Sequence, residues 1–251
     1  MKKILSILLF ILFAIQTNAQ VVEFPLPKID VSKIDVSKID FSFLNFDQFS
    51  FGVKVSPSID WMKVNHDDMQ ADGATLKFGI AGIADYALNK NISVVSGVNF
   101  NGFGGYVFDN KSLNDVSTKD NYMLNYSQLE IPMCLKLKTT ELKKVSYFIQ
   151  GGLNTGFIIT ANEKHQNINK NIPSSPVDIY PITNPSRLGY QFSVGSELYI
   201  TKKLKFFTEI CYKNSMTNVA LSDNYISSGK YDKPIELIPG SMEFSVGLMF
   251  K

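Results

Sequence analysis

From Ser50 onward the chain is written in period two, and no apolar run there approaches the ~20 residues a membrane helix needs. Leu129, Ile131, Met133, Leu135 and Leu137 alternate with Gln128, Glu130, Pro132, Cys134 and Lys136. Tyr190, Phe192, Val194, Ser196, Leu198 and Ile200 alternate with Gln191, Ser193, Gly195 and Glu197. Met242, Phe244, Val246, Leu248 and Phe250 alternate with Glu243, Ser245 and Gly247. Successive side chains of a strand point to opposite faces, so each run carries one apolar and one mostly polar face. Similar runs begin near Phe51, Leu76, Ile92, Val145 and Leu204, which predicts about eight strands. Many exceed the about five or six residues usual in globular strands and suit a tilted membrane crossing.

The links sharpen this expectation. Short links are expected at Asn89 to Asn91, Thr139 to Lys143 and Thr201 to Lys203. Long ones are expected at Asn65 to Gly73, Asp109 to Asn121, Glu163 to Pro185 and Met216 to Ile238. Short turns at one end and long loops at the other organise an outer-membrane barrel. The expected fold is all-β: a single antiparallel up-and-down transmembrane β-barrel of about eight strands over residues 50–251. Mean hydropathy near zero accords with strands that alternate. It also accords with a soluble lipocalin-like ligand-binding barrel, with the charged face turned outward. Link lengths and aromatic placement favour the membrane. Trp61, Tyr86, Tyr106, Phe108, Tyr147, Phe157, Tyr190, Tyr212 and Phe250 fall on the predicted outer face, many toward strand ends. Amphipathic rings settle at membrane interfaces.

The N-terminus reads as a targeting segment. Lys2 and Lys3 precede an apolar run from Ile4 to Ile15, and Thr17 and Ala19 occupy the small-residue positions of a cleavage site. Residues 1–19 are expected to be a signal peptide cleaved after Ala19. Residues 20–49 are expected to form an extended or flexible periplasmic segment. It carries a pentapeptide three times, from Lys28, Lys33 and Lys38, and a five-residue period matches neither helix nor strand.

The predicted inner face carries Lys54, Asp60, Lys77, Asp85, Glu130, Lys136, Glu197, Glu209, Lys213 and Glu243. About eight strands leave an interior just wide enough for side chains, so these charges must pair into a lumen network. The other reading is a narrow polar path for small solutes or protons, and mixed signs argue against a pore for one charge class. Cys134 and Cys211 both point inward on strands that are not neighbours, so two buried thiols are expected rather than a disulfide. The histidines, His66 and His165, are placed in outer loops. His66 precedes Asp67 and Asp68, which keeps an outer-membrane lipid-modifying enzyme or a metal site as alternatives. A loop histidine beside acids is more often solvated, so no catalytic, cofactor-binding or metal residue is assigned and no cofactor is expected. Lysines are scattered and net charge is +2, so nucleic acid is excluded as a partner.

Phe51-Gly52-Val53-Lys54, Leu129-Glu130-Ile131-Pro132, Gly195-Ser196-Glu197-Leu198 and Phe244-Ser245-Val246-Gly247-Leu248 resemble the PorT-like outer-membrane β-barrel family. The resemblance spans roughly residues 50–251. It implies an eight-stranded barrel without a shared active-site motif, and a link to protein secretion of the type IX kind. The C-terminal Phe250 resembles the signal read by barrel-insertion machinery, with Lys251 following it as a departure. The partners so implied are outer-membrane lipid, barrel-insertion machinery and periplasmic or secretion-complex proteins.

Overall fold

The computed structural model describes residues 46–67, 69–109, 120–167, 172–173, 175–220 and 235–251. The expected signal peptide, its cleavage site after Ala19 and the repeat at 28–42 lie outside the described residues. After a 3-10 turn at Phe46–Gln48 come β1 (Phe49–Asn65), β2 (Met69–Ala87), β3 (Ile92–Asp109), β4 (Asp120–Lys138) and β5 (Val145–Asn167). Two short pieces, β6 (Ile172–Pro173) and β7 (Val177–Asp178), and a 3-10 turn at Tyr180–Ile182 follow. The chain ends with β8 (Ser186–Tyr199), β9 (Leu204–Ser215) and β10 (Glu236–Phe250).

The eight long strands close into a barrel. The order β4-β3-β2-β1-β10-β9-β8-β5 is completed by pairing of β4 with β5, and every pairing is antiparallel. The seam between first and last strands runs from Phe51 opposite Phe250 to Asn65 opposite Glu236. A closed sheet satisfies every strand's backbone groups within the protein, the condition for crossing hydrocarbon. Among the described residues no helix is long and apolar enough to cross a membrane.

The outer surface is a belt of bare hydrocarbon. Val53 is 57% exposed, Phe78 58%, Ile80 53% and Phe192 60%. Exposed large apolar side chains occur on all eight long strands, whereas water-soluble monomers rarely expose contiguous apolar patches beyond a few hundred Å². On β1 the belt runs through Phe51, Val53, Val55, Pro57, Ile59 and Trp61. At ~3.3 Å per residue and a tilt near 40°, that span is roughly 25 Å tall, the height of an outer-membrane belt.

Several expectations change. The first long link, expected at Asn65 to Gly73, is only residues 66–68, because β1 runs on along β10 to Asn65 and β2 begins at Met69 along β3. His165 lies within β5 rather than in a loop, its ring stacked on Tyr122 at 4.9 Å between centroids. A bulge in β5 also intervenes: Ser127 faces Thr160 while Gln128 faces Ile158. The extra residue reverses parity, so Ala161 and Glu163 are buried although they share odd numbering with outward Tyr147 and Ile149. A further irregularity in β2 sits at Gly73, whose φ of +139° favours a residue without a Cβ.

Candidate functional site

The barrel interior is built in layers. Nearest the short links, Lys136 of β4 pairs with Asp85 of β2 at 3.2 Å and with Glu197 of β8. Lys205 of β9 reaches the other Glu197 oxygen at 3.1 Å. The Lys136 ammonium also lies 4.3 Å from the centre of the Phe148 ring. Gly195 and Gly247 make room for two aromatic rings here: a Cβ on Gly195 would fall 2.5 Å from Phe148, and one on Gly247 2.5 Å from Phe207.

One layer up, Lys54 of β1 pairs with Glu209 of β9 at 3.2 Å, and Gln150 of β5 donates to the other Glu209 oxygen at 3.2 Å. Beside this pair is a cavity of about 30 Å³, lined in part by Asp85, Cys134, Lys136 and Gln191. That is room for about one water molecule. Cys134 accepts from Gln191 Nε2 at 3.0 Å, and both cysteines are free and buried.

The central layer is organised by Glu130 of β4, which is fully buried. It accepts from Lys213 of β9 at 2.6 Å, Asn99 of β3 at 3.0 Å, Arg187 of β8 at 3.1 Å and Gln128 at 3.3 Å. Lys213 also pairs with Glu243 of β10 at 2.9 Å. Side chains from five strands therefore meet in mid-lumen. A buried carboxylate is tolerable only with such saturation of its oxygens.

Above the charges the lumen turns apolar. Met62, Phe103, Val107, Tyr122, Leu124, Tyr126 and Ile158 from the strands pack with Ile179, Val219, Ile235 and Leu237. Ile179 and Val219 come from the described parts of the two long links, and both pack into the apolar cluster at the mouth. Ile179 N donates to Ala161 O at 3.0 Å, and Asn184 N to Val219 O at 2.9 Å. Asn218 braces the second link, donating to Ile235 O and accepting from Ala220 N and Leu237 N.

Of the charges predicted to line the lumen, Lys54, Asp85, Glu130, Lys136, Glu197, Glu209, Lys213 and Glu243 meet in ion pairs. Asp60 accepts instead from Ser58 Oγ at 2.5 Å, and Lys77 donates to Asn125 Oδ1. Neither has an ion-pair partner among the described residues. Two members escaped the sequence reading, Arg187 and Lys205. Both share the parity of inward neighbours, Arg187 with Gln191 and Lys205 with Glu209; Arg187 is found by running the alternation back from Tyr190, whereas Lys205 already lies within the run that begins near Leu204. The apolar cap had no such signal.

The nine aromatic residues expected at the membrane interface occupy the outer face at two levels, and none of the nine is buried. Trp61, Tyr212 and Tyr190 form a row near the long links, with centroids 6.3 and 6.4 Å apart, and Tyr106, Phe108 and Phe157 lie toward the same end. Tyr86, Tyr147 and Phe250 sit toward the short links, with Phe49 against Tyr86 at 4.8 Å. His66 lies in the link after β1 and His165 in β5, and among the described residues no three His, Cys, Asp or Glu side chains gather as a metal site.

A family model described as the outer membrane protein beta-barrel domain matches residues 37–221. No curated protein matches the chain. Among solved structures, Neisserial surface protein A is 12% identical, with 81% of this chain and 97% of that one aligned at a TM-score of 0.46. OprG from Pseudomonas aeruginosa is 10% identical over 80% and 94%, also at 0.46. Ail, the attachment invasion locus protein of Yersinia pestis, is 12% identical over 81% and 99%, at 0.37.

Proposed function

Since this chain belongs to the outer membrane protein β-barrel domain family, we infer that its work in that membrane is structural or assembly-related rather than enzymatic or conductive. The observation that carries this reading is the closed lumen. Ion pairs fill the middle of the barrel, and an apolar cluster seals the end that bears the long links. In an outer-membrane barrel short turns face the periplasm and long loops face outward. The chain is exported by a signal peptide cleaved after Ala19, and residues 20–49 meet periplasmic or secretion-complex proteins. The PorT-like phrases at residues 51–54, 129–132, 195–198 and 244–248 are the support for the secretion link.

Single-channel recording in planar bilayers tests the reading. The folded protein, verified by slower or faster migration before boiling, is expected to give no sustained conductance steps. Leu237→Asp places a charge in the apolar cap, where Leu237 is fully buried, and is expected to loosen it and admit transient openings. Steady conductance from the unaltered protein would make a small-solute channel the better account.

A further inference from the structure

We propose that the short-link rim is a cationic collar that binds anionic phospholipid headgroups of the periplasmic leaflet. The collar rests on the reading that short links face the periplasm. Six exposed lysines ring this end: Lys90 after β2, Lys143 and Lys144 after β4, Lys202 and Lys203 after β8, and Lys251 after β10. The exposed acidic side chains described on the same rim are Asp47 and Glu141. At the opposite end the balance reverses, with exposed Asp67, Asp72, Asp178 and Glu236 against Lys63 and Lys164 among the described residues. Among the described residues the excess of exposed positive charge therefore belongs to the short-link rim.

The turns are built to present those lysines. Leu142 and Val145 exchange backbone hydrogen bonds at 2.7 and 2.9 Å around Lys143 and Lys144, whose φ angles are +50° and +72°. A two-residue hairpin turn with both central residues left-handed favours Asn-Gly, because a Cβ is strained there. This chain instead holds two consecutive lysines in that conformation, and backbone strain retained at a surface tip points to a use for the side chains. Asn89, Thr139 and Thr201 brace the turns. Asn89 Oδ1 accepts from Asn91 N and Ile92 N, Thr139 Oγ1 from Tyr147 N, and Thr201 Oγ1 from Lys203 N and Leu204 N. None of the six lysines has an ion-pair partner among the described residues.

Apolar side chains in the same turns select the partner. Leu142 is 63% exposed beside Lys143, and Ile200 49% exposed just before Thr201 and the lysine pair. Tyr147 and Phe250 lie exposed where the belt begins. Lysine interleaved with exposed aliphatic residues, flush with a hydrocarbon belt, matches the boundary where acyl chains meet charged headgroups. A soluble acidic partner would match the charge but leave Leu142 and Ile200 uncovered.

The test uses the full-length protein in mixed bilayers with spin-labelled phosphatidylglycerol or phosphatidylcholine, comparing association of each lipid with the barrel surface. The unaltered protein is expected to prefer phosphatidylglycerol several-fold at low salt, with each seated lysine contributing on the order of fivefold at most. The preference is expected to fall in 0.5 M salt (a test condition; the screening length shrinks to a few Å near 1 M). It is expected to vanish when Lys143→Gln, Lys144→Gln, Lys202→Gln and Lys203→Gln are combined. Equal association of both lipids, or a preference unchanged in the combined variant, overturns the collar while leaving the barrel intact. Poly-glutamate binding in detergent with the same lysine dependence but no lipid preference makes the rim a protein-docking surface and overturns it too. Labelling of Lys143→Cys by an impermeant maleimide on intact cells overturns the orientation beneath the proposal instead.

Discussion

Replacing Glu130 by alanine is expected to destabilise the barrel by about 3–5 kcal/mol, the cost of breaking a buried ion pair from one side. Glu130 is the shared acceptor of Lys213 and Arg187 and has no exposure of its own. Its removal leaves Arg187 without a carboxylate and Lys213 with Glu243 alone. The measurement is the urea midpoint of the detergent-folded protein, followed by Trp61 emission and by the mobility of unboiled samples. Glu130→Gln keeps hydrogen-bonding capacity but not charge, and is expected to fall between the parent and Glu130→Ala. Combining Glu130→Met with Arg187→Met, Lys213→Met and Glu243→Met, so that the Lys213 partner Glu243 is not left as a buried lone carboxylate, is expected to recover most of the loss, since an apolar layer of similar volume needs no pairing. A loss below about 1 kcal/mol for Glu130→Ala would mean that water solvates the layer, and the sealed lumen would have to be abandoned.

The second large effect belongs to the outer face. Ile80→Arg is expected to cost about 2–4 kcal/mol in a bilayer, the range for arginine near the midplane of a barrel's lipid face. Ile80 faces outward at mid-belt, opposite Val55 on one side and Phe100 on the other. Gln70→Arg, on the exposed end of the same strand beyond the belt, is expected to stay within about 0.5 kcal/mol. Reversible folding into vesicles gives both numbers. Equal, small effects at the two positions would mean that Ile80 does not meet hydrocarbon, and the in-out assignment of the faces would invert.

Both predictions draw on a feature readable before any coordinates. Alternation is local: each residue's face follows from its neighbour's, so Glu130, Lys136, Glu197 and Glu209 could be assigned to one face by parity alone. The same argument reaches Lys205 within the run from Leu204, and Arg187 once β8 is extended back to its observed start at Ser186. Alternation fails where one residue is added. The bulge at Ile158 and Ile159 turns Ala161 and Glu163 inward, and nothing in the local pattern marks it, because the bulge is defined by the register of the facing strand.

Which charges meet is a further step. Glu130 and Lys213 are 83 residues apart, and their contact depends on closure of the whole sheet with a particular stagger. The same holds for Asp60 and Lys77, which parity places inside but closure leaves out of the ion-pair layers. The long links held the largest surprise. Ile179, Val219 and Ile235 lie outside the alternating runs, and their destination appears only when the apolar upper lumen is assembled beneath them.

Taken alone, the sequence determined that the chain forms long two-faced strands, that short and long links alternate in their later members, and that charge and hydrocarbon lie on opposite faces. These follow from the two-residue period of a strand and need no long-range information. Tertiary structure decided the charge partners, the inward turn of Glu163 and the sealing of the long-link end. Each depends on stagger and closure, which are properties of the assembled barrel and of no single segment.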